Sequence, residues 1–382
     1  MKRIDLRLAV RGAFAALLAS LLIIGPVAAL AAPGAGPVEN AAHAPDRFLV
    51  KFSPAAQASS VAALNARHGV RELDRIGRLG VRVMSVPKGR SAEAMARAYS
   101  QNPNVTFAEP DYVVRASLVP NDTHYSNQWA MPKISAPSAW DVTTGSDAVT
   151  ISIVDTGIQS NHPDLTGRVI GGYDYVNGDH DPSDDNGHGT MCAGVAAANS
   201  NNARGVAGMD WSARLLAVKV LDSTGSGFTS NVAKGITYSA DNGAHVISLS
   251  LGSSSGSSTL KSAVDYAYGK GSLLVAASGN DGASSVSYPA AYSNVMSVGA
   301  TDSNDALASF SNYGVAQGVV APGVSIATTK LGGSYAYFSG TSAAAPLVAG
   351  LAGLVLSKDA ALSNADVASY IRAGAADLGA AG

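Results

Sequence analysis

The sequence predicts two folded domains within its 382 residues, a small α+β domain followed by a larger α/β domain in which helices flank a parallel sheet. From residue 46, strand-like and helical segments follow one another in the order βαββαβ. From about residue 117, short and wholly apolar runs that end in Gly, Asp or Asn alternate with helical segments, which is typical of buried parallel strands. An apolar fraction of 47% is enough to build both cores.

Residues 1–32 have the layout of a secretory signal peptide, with basic residues first, an apolar run next and small residues near Ala29 at the end. The apolar run is nearly long enough to span a membrane, so an uncleaved anchor is the alternative. The Gly25-Pro26 interruption favours cleavage. We therefore expect a secreted, extracellular protein without membrane contact after signal cleavage, in which residues 33–45 are a linker rich in Pro, Gly and Ala.

Residues 46–116 are predicted to form the small domain, because the order βαββαβ is that of a ferredoxin-like fold. This segment carries 11 Lys and Arg against 6 acidic residues, a net charge of +5. Residues 117–382 carry 11 Lys and Arg against 20 Asp, a net charge of −9. Opposite charges favour association of the two parts, and the acidic surplus argues against nucleic acid as a partner.

The larger domain is predicted from four apolar runs, which read VTISIVDTG, ARLLAVKVL, HVISLSLG and LLVAASGN, with helical segments between and after them. In such sheets ligands bind at the carboxyl ends of the strands. Cys192 is the single cysteine, so an intramolecular disulfide is excluded and stability must come from packing or a bound metal.

Three polar residues occupy positions at which chemistry is expected. Asp155 ends the first apolar strand, and His188 and Ser342 each begin a helix of small residues. Singly, each has an ordinary explanation as a turn residue or a helix cap. Together with Asn280, however, they lie in four motifs, VDTG, NGHGT, SGN and GTSAAAP, whose order along residues 120–357 resembles the subtilisin-like serine proteases, and among them the thermitase-like members.

This resemblance implies a subtilisin-like parallel sheet and a serine endopeptidase that works through an acyl-enzyme. Ser342 would be the nucleophile, His188 the base that takes its proton, and Asp155 the group that orients the imidazole. The Asn280 amide and the backbone N–H of Ser342 would bind the oxyanion. Residues 46–116 would then be an inhibitory propeptide that assists folding.

The resemblance also implies the partners of the enzyme, which are protein and peptide substrates and its own propeptide as an intramolecular inhibitor. Autocatalytic cleavage is expected between Arg115 and Asn121, and the mature enzyme is expected to be a monomer. Substrate binding would involve an S1 pocket and an edge to which an extended peptide adds as a strand. Because these stretches contain no charged residue, broad specificity with apolar or aromatic side chains before the cut bond is expected. The residues are Gly225, Ser226, Gly227, Ser250, Leu251, Gly252, Ala277, Ser278 and Gly279.

Calcium is the implied cofactor, because hard cations bind clustered oxygen ligands. A first site would use the side chains of Asp122, Asp164 and Asn202 with the carbonyl groups of Asn199, Arg204 and Val206. A second cluster departs from the thermitase-like pattern at several ligands, and a solvated acidic loop is its alternative interpretation. It consists of Asp174, Asn177, Asp179, Asp181 and Ser183.

Departures from the family pattern, such as Met191 in the HGT motif and Ala343 after Ser342, remove none of these groups. A rival hydrolase motif, GxSxG, occurs at residues 252–256, but its fold needs a histidine after the nucleophile and all seven histidines precede Ser254. Cys192 lies one helical turn after His188, and we expect it to be a buried residue rather than a nucleophile. A non-catalytic binding protein on the same scaffold is the remaining alternative.

Overall fold

The computed structural model describes residues 2–4, 42–114 and 118–378. The described chain divides into two compact units. The smaller one comprises residues 42–114, and the larger one comprises residues 118–378 together with strand β1 (Lys2–Ile4). From residue 5 onward the predicted signal peptide lies outside the described residues, as do most of the predicted linker and residues 115–117 of the expected cleavage region.

The smaller unit has the predicted βαββαβ order. Its sheet is antiparallel in the order β3-β4-β2-β5, the arrangement of a ferredoxin-like fold. Phe48 and Tyr99 are fully buried at its core, where their rings meet edge to face at 5.0 Å. The elements are β2 (His43–Phe52), α1 (Ala58–His68), β3 (Glu72–Ile76), β4 (Val81–Ser85), α2 (Ala92–Ser100) and β5 (Val105–Tyr112).

The larger unit is built on seven parallel strands in the order β7-β8-β6-β9-β10-β11-β12, which confirms the predicted α/β class. Strand β1 lies beside β12, and β15 pairs with β1 in the antiparallel direction. Strands β13 and β14 form a separate antiparallel hairpin. The strands are β6 (Thr150–Asp155), β7 (Val169–Asp174), β8 (Arg214–Lys219), β9 (Val246–Leu249), β10 (Leu273–Ala277), β11 (Val295–Thr301), β12 (Val319–Pro322), β13 (Ile326–Lys330), β14 (Ser334–Phe338) and β15 (Ala375–Asp377).

Helices cover both faces of this sheet because alternate strand side chains enter two different cores. Ile151 and Ile153 of β6 pack on the side of α5 and α8, whereas Val154 packs on the side of α6 and α7. The helices are α3 (Ala130–Lys133), α4 (Ala136–Trp140), α5 (His188–Ala197), α6 (Thr229–Asp241), α7 (Ser258–Gly269), α8 (Thr341–Lys358) and α9 (Asn364–Ala373).

Helix α8 is the central helix of the larger unit, and 16 of its 18 residues are buried. By length and composition it could also cross a membrane, but its burial identifies it as a core helix. It packs against α5, and the two helices approach closely at Gly350, where an added Cβ atom would lie 2.5 Å from the carbonyl oxygen of Ala196. The two helices that begin at His188 and near Ser342 are thus held together by small residues.

Candidate active site

The structure brings Asp155 and His188 into direct contact at the carboxyl ends of the strands. Asp155 ends β6 and is fully buried, and its Oδ1 lies 2.7 Å from Nδ1 of His188, the first residue of α5. Burial by itself would lower the pKa of His188, but the negative charge of Asp155 and the hydrogen bond outweigh it and raise the pKa. This pair favours an imidazole that can take up a proton.

Ser342 lies in the first turn of α8, close to this pair. Its carbonyl oxygen accepts hydrogen bonds from Ser250 Oγ (3.0 Å) and from Cys192 Sγ (3.5 Å), and the same sulfur lies 3.9 Å from Nδ1 of His188. Within the described residues, Ser342 Oγ donates to the carbonyl oxygen of Ser250 (3.2 Å) rather than to His188. Without substrate, hydrogen bonds between a nucleophile and its base are often long or poorly aligned, and they tighten when substrate binds.

Asp184 holds the loop that leads into His188 in place. The sequence motifs did not indicate a role for this residue. Its carboxylate accepts five hydrogen bonds, from the Thr156 hydroxyl, from the backbone of Asn186 and Gly187, and from the N–H and hydroxyl of Thr190. A carboxylate with so many donors at the start of a helix is well stabilised. Asp184 thereby joins the strand end that carries Asp155 to the helix that carries His188.

The Asn280 amide is oriented by its neighbour at the start of α8. Its Oδ1 accepts hydrogen bonds from the N–H (2.8 Å) and the hydroxyl (2.9 Å) of Thr341. Because the oxygen is engaged, Nδ2 is left as a donor, and it lies near the Ser342 N–H, since both nitrogens are 3.5 Å from the position of an added Cβ atom at Gly340. Two kinds of donor are thus available for an oxyanion.

Cys192 is fully buried, 3.8 Å from Asp155 Oδ2. Burial raises the pKa of its thiol, an effect that the neighbouring His188 opposes only in part. Asp155, His188 and Cys192 each offer an atom within 4.8 Å of the others, a spacing at which metal ligands can occur. Because the Asp155–His188 hydrogen bond already occupies this group, we interpret the thiol as a packing residue beneath Asp155 and His188.

A cleft of about 530 Å³ extends from His188 across the surface of the larger unit. Six of the nine predicted substrate-binding residues line it, in the stretches 225–227 and 250–252. Four apolar residues that the motifs did not indicate add to its walls, and among the described lining residues there is no Asp, Glu, Lys or Arg. These four are Leu221, Val232, Leu260 and Tyr288.

The remaining predicted wall, Ala277, Ser278 and Gly279, begins at the last residue of β10 and does not line this cleft. Its shape depends on Asn312, whose N–H donates to the Gly279 carbonyl oxygen. Gly279 has a φ of +111°, and an added Cβ atom would lie 2.2 Å from Asn312 Nδ2. Only glycine fits this turn, because of its positive φ and the close approach of Asn312.

The predicted first calcium site contains a buried carboxylate oxygen that has no hydrogen-bond partner among the described residues. Asp122 and Asp164 are buried, and Oδ1 of Asp122 accepts no hydrogen bond from any described residue. Burial, with the nearby Asp164 charge, raises the pKa of Asp122. Asn202 Nδ2 donates to Asp164 Oδ1 (3.0 Å) and to the Asn199 carbonyl oxygen (3.3 Å). Two buried acidic groups with one unsatisfied oxygen fit a cation of the calcium type.

At the predicted second cluster the side chains instead satisfy one another. Asp174 accepts hydrogen bonds from the backbone of Val176 and from both the backbone and the side chain of Asn177. Asp179 accepts from the N–H of Asp181, and Asp181 accepts from the N–H and hydroxyl of Ser183. The loop is therefore explained by turn hydrogen bonds alone.

Comparison with known proteins agrees with this fold. Residues 146–382 match the subtilase family, Peptidase S8, and residues 30–111 match the fervidolysin N-terminal prodomain. The chain is 47% identical over 328 residues to a thermophilic serine proteinase of Bacillus sp. (strain AK1), which covers 84% of this chain and 80% of that protein. It is 54% identical over 246 residues to thermitase of Thermoactinomyces vulgaris, covering 64% and 88%.

A solved structure is similar as well. The crystal structure of a cold adapted subtilisin-like serine proteinase superimposes with a TM-score of 0.55 at 37% identity, covering 59% of this chain and 81% of that chain. Fold, site and relatives together define a serine peptidase that carries its own prodomain. The chain belongs to the subtilase family, as its motifs predicted.

Proposed function

We propose that the protein is a secreted, broad-specificity endopeptidase in which Ser342, His188 and Asp155 form the catalytic triad. The 2.7 Å contact between Asp155 and His188, next to the start of the Ser342 helix, is the observation that carries this proposal. His188 takes the serine proton as the hydroxyl attacks the peptide carbonyl, and later returns it to the leaving amine. Asp155 holds the imidazole in the required tautomer and stabilises its charged form.

The developing oxyanion is bound by the Asn280 amide and the backbone N–H of Ser342. Thr341 supports this role, because its two hydrogen bonds to Asn280 Oδ1 fix the orientation of the amide and leave Nδ2 available as a donor. Donors that are already in place cost no reorganisation during the reaction.

The substrate lies in the cleft as an extended strand beside the 225–227 edge, with an apolar or aromatic side chain before the cut bond. The uncharged lining and its apolar side chains support this preference. Secretion rests on the sequence of residues 1–32.

The propeptide is released by cleavage between Arg115 and Asn121. Val113, before this region, is attached within the smaller unit because its N–H donates to the Ala42 carbonyl oxygen, and Leu118, inside the region, is attached within the larger unit because its N–H donates to Asp141 Oδ1. Val114 between them is 91% exposed, as a cleavable segment requires.

We expect protein recovered from the culture medium to hydrolyse casein and to begin between Arg115 and Asn121. Phenylmethylsulfonyl fluoride, which modifies reactive serines, should stop the hydrolysis. Tetrapeptide anilides that differ only in the residue before the cut bond should be cut faster with Phe or Leu than with Asp or Lys. The assay would reject the proposal if recovered, folded protein left casein intact, or if the charged anilides were preferred.

Calcium is proposed as a stabilising cofactor at the first predicted site. Asp122, Asp164 and Asn202 would hold it through side chains, and Asn199, Arg204 and Val206 through carbonyl groups. The unpartnered buried oxygen of Asp122 supports this assignment. The ion would neutralise the buried carboxylates and takes no part in peptide hydrolysis.

Removal of calcium should lower the melting temperature of the mature enzyme. Calcium at about 100 times its Kd contributes about 2.7 kcal/mol, because it binds only the folded state. For a domain of this size that corresponds to a decrease of about 5–10 °C. Melting curves with EDTA and with added calcium, recorded after serine inactivation to prevent autolysis, measure the shift.

Asp122→Asn should abolish the calcium response, whereas Asp147→Asn, at an exposed carboxylate, should retain it. Curves that superimpose in the two buffers would contradict the site.

A further inference from the structure

Lys219 is a buried lysine beside the cleft that neither the motifs nor the proposed mechanism uses. It is the last residue of β8, and in the backbone register it lies beside Asp155 on the neighbouring strand β6. Its side chain is 1% exposed. Burying an ammonium group is costly unless each of its three donors is satisfied. Here all three are, by the carbonyl oxygens of Thr156 (2.9 Å) and Leu221 (2.8 Å) and by Asp185 Oδ1 (2.7 Å).

These acceptors belong to three separate segments that meet at the cleft. Thr156 follows the strand that ends in Asp155, and Leu221 follows the strand that contains Lys219; both line the cleft. Asp185 precedes Asn186, which also lines the cleft. The Asn186 side chain donates to the Ser223 carbonyl oxygen (3.0 Å) and accepts from the N–H of His188 (3.1 Å).

We infer that Lys219 is a positioning residue for peptide binding, whose ammonium group joins the three segments that form one wall of the cleft. It acts on the substrate through Thr156, Leu221 and Asn186 and does not touch it. The inference rests on the proposed function of the same cleft. An apolar side chain of similar length could fill the same space without the cost of desolvating a charge. The presence of a buried ammonium group therefore indicates a role beyond filling space. An apolar side chain could not hold two carbonyl groups and a loop carboxylate at fixed distances.

The test compares Lys219→Met with the parent enzyme on two substrates. A succinylated Ala-Ala-Pro-Phe anilide fills the cleft, whereas p-nitrophenyl acetate needs only the reacting groups. Rates are expressed per active site, titrated with a serine-directed reagent, so that a smaller folded fraction does not affect them. We expect KM for the anilide to rise about tenfold and the anilide-to-ester ratio of kcat/KM to fall with it.

Lys261→Met, at an exposed lysine paired with Asp265 on α7, is the matched control and should leave that ratio unchanged. An equal change on both substrates, or an unchanged KM in Lys219→Met, would overturn the inference.

A second variant keeps the test decisive if Lys219→Met does not fold. Asp185 is half exposed, so Asp185→Ala removes one acceptor without leaving a buried cavity. KM for the anilide should then rise about threefold, and an unaltered KM would again refute the role. Failure of the proposed function would look different, since the parent enzyme would then hydrolyse neither substrate or Ser342→Ala would retain its activity.

Discussion

Replacing Ser342 with alanine should abolish both peptide hydrolysis and propeptide release. The expected decrease in kcat is about 10⁶-fold, the size of loss found when a subtilisin loses its serine or its histidine. The variant should fold, because Ser342 lies in the first turn of a helix and, among the described residues, its hydroxyl donates only to the Ser250 carbonyl oxygen. Expressed in a host without other extracellular proteases, it should accumulate as an uncleaved chain, which mass spectrometry and N-terminal sequencing would identify.

Ser254→Ala is the matched control for this experiment. Ser254 occupies the nucleophile position of the accidental GxSxG motif, and it is exposed. Its variant should retain full activity and normal processing. Cleavage of the Ser342→Ala chain between Arg115 and Asn121 in that host would show that processing is not its own work.

Removing the donor of Asn280 should lower kcat by about 10²–10³-fold and change KM little, because the oxyanion exists only after the hydroxyl has attacked. That magnitude comes from the corresponding donor of subtilisin. Asn280→Ala and Asn280→Asp are compared, with Asn304→Ala at an exposed loop position as the control. Steady-state kinetics on an anilide substrate measures the loss.

The aspartate variant separates two explanations of this effect. Asp at position 280 keeps the oxygen that accepts from Thr341, so the start of α8 stays in place, but it loses the amide donors. If Asn280→Asp were as active as the parent enzyme, Asn280 would act by holding Thr341, and its assignment to the oxyanion would fail.

The fold could be predicted from the sequence where one structural cause dominates the pattern. Parallel strands that are buried on both faces, such as β6 and β10, appear as continuous apolar runs, and this burial was predicted correctly. The edge strand β7 was not predicted, because Gly171 and Gly172 interrupt its pattern. The β13–β14 hairpin was missed as well, since its Thr and Tyr residues show neither a long apolar run nor a clear alternation.

Site residues that act through the backbone could not be predicted in the same way. Asp184 and Asn312 work by accepting N–H groups of the loops beside the site, and these contacts have no sequence spacing of their own. Lys219 lies within an apolar run of the sequence. The acceptors of its ammonium group come from three segments that are brought together only by the fold.

The relative position of His188 and Ser342 depends on a helix contact that lies away from both residues. This contact is the close approach of α5 and α8 at Gly350. Gly350 lies eight residues beyond Ser342, about 12 Å along a rigid helix axis. A methyl group there would press on the Ala196 carbonyl oxygen and on Met209, and α8 could relieve this only by tilting or sliding. The two helices begin at His188 and next to Ser342, so such a tilt would move the proposed nucleophile away from the proposed base. Loss-of-function variants should therefore include small residues of this helix contact together with the residues that perform the chemistry.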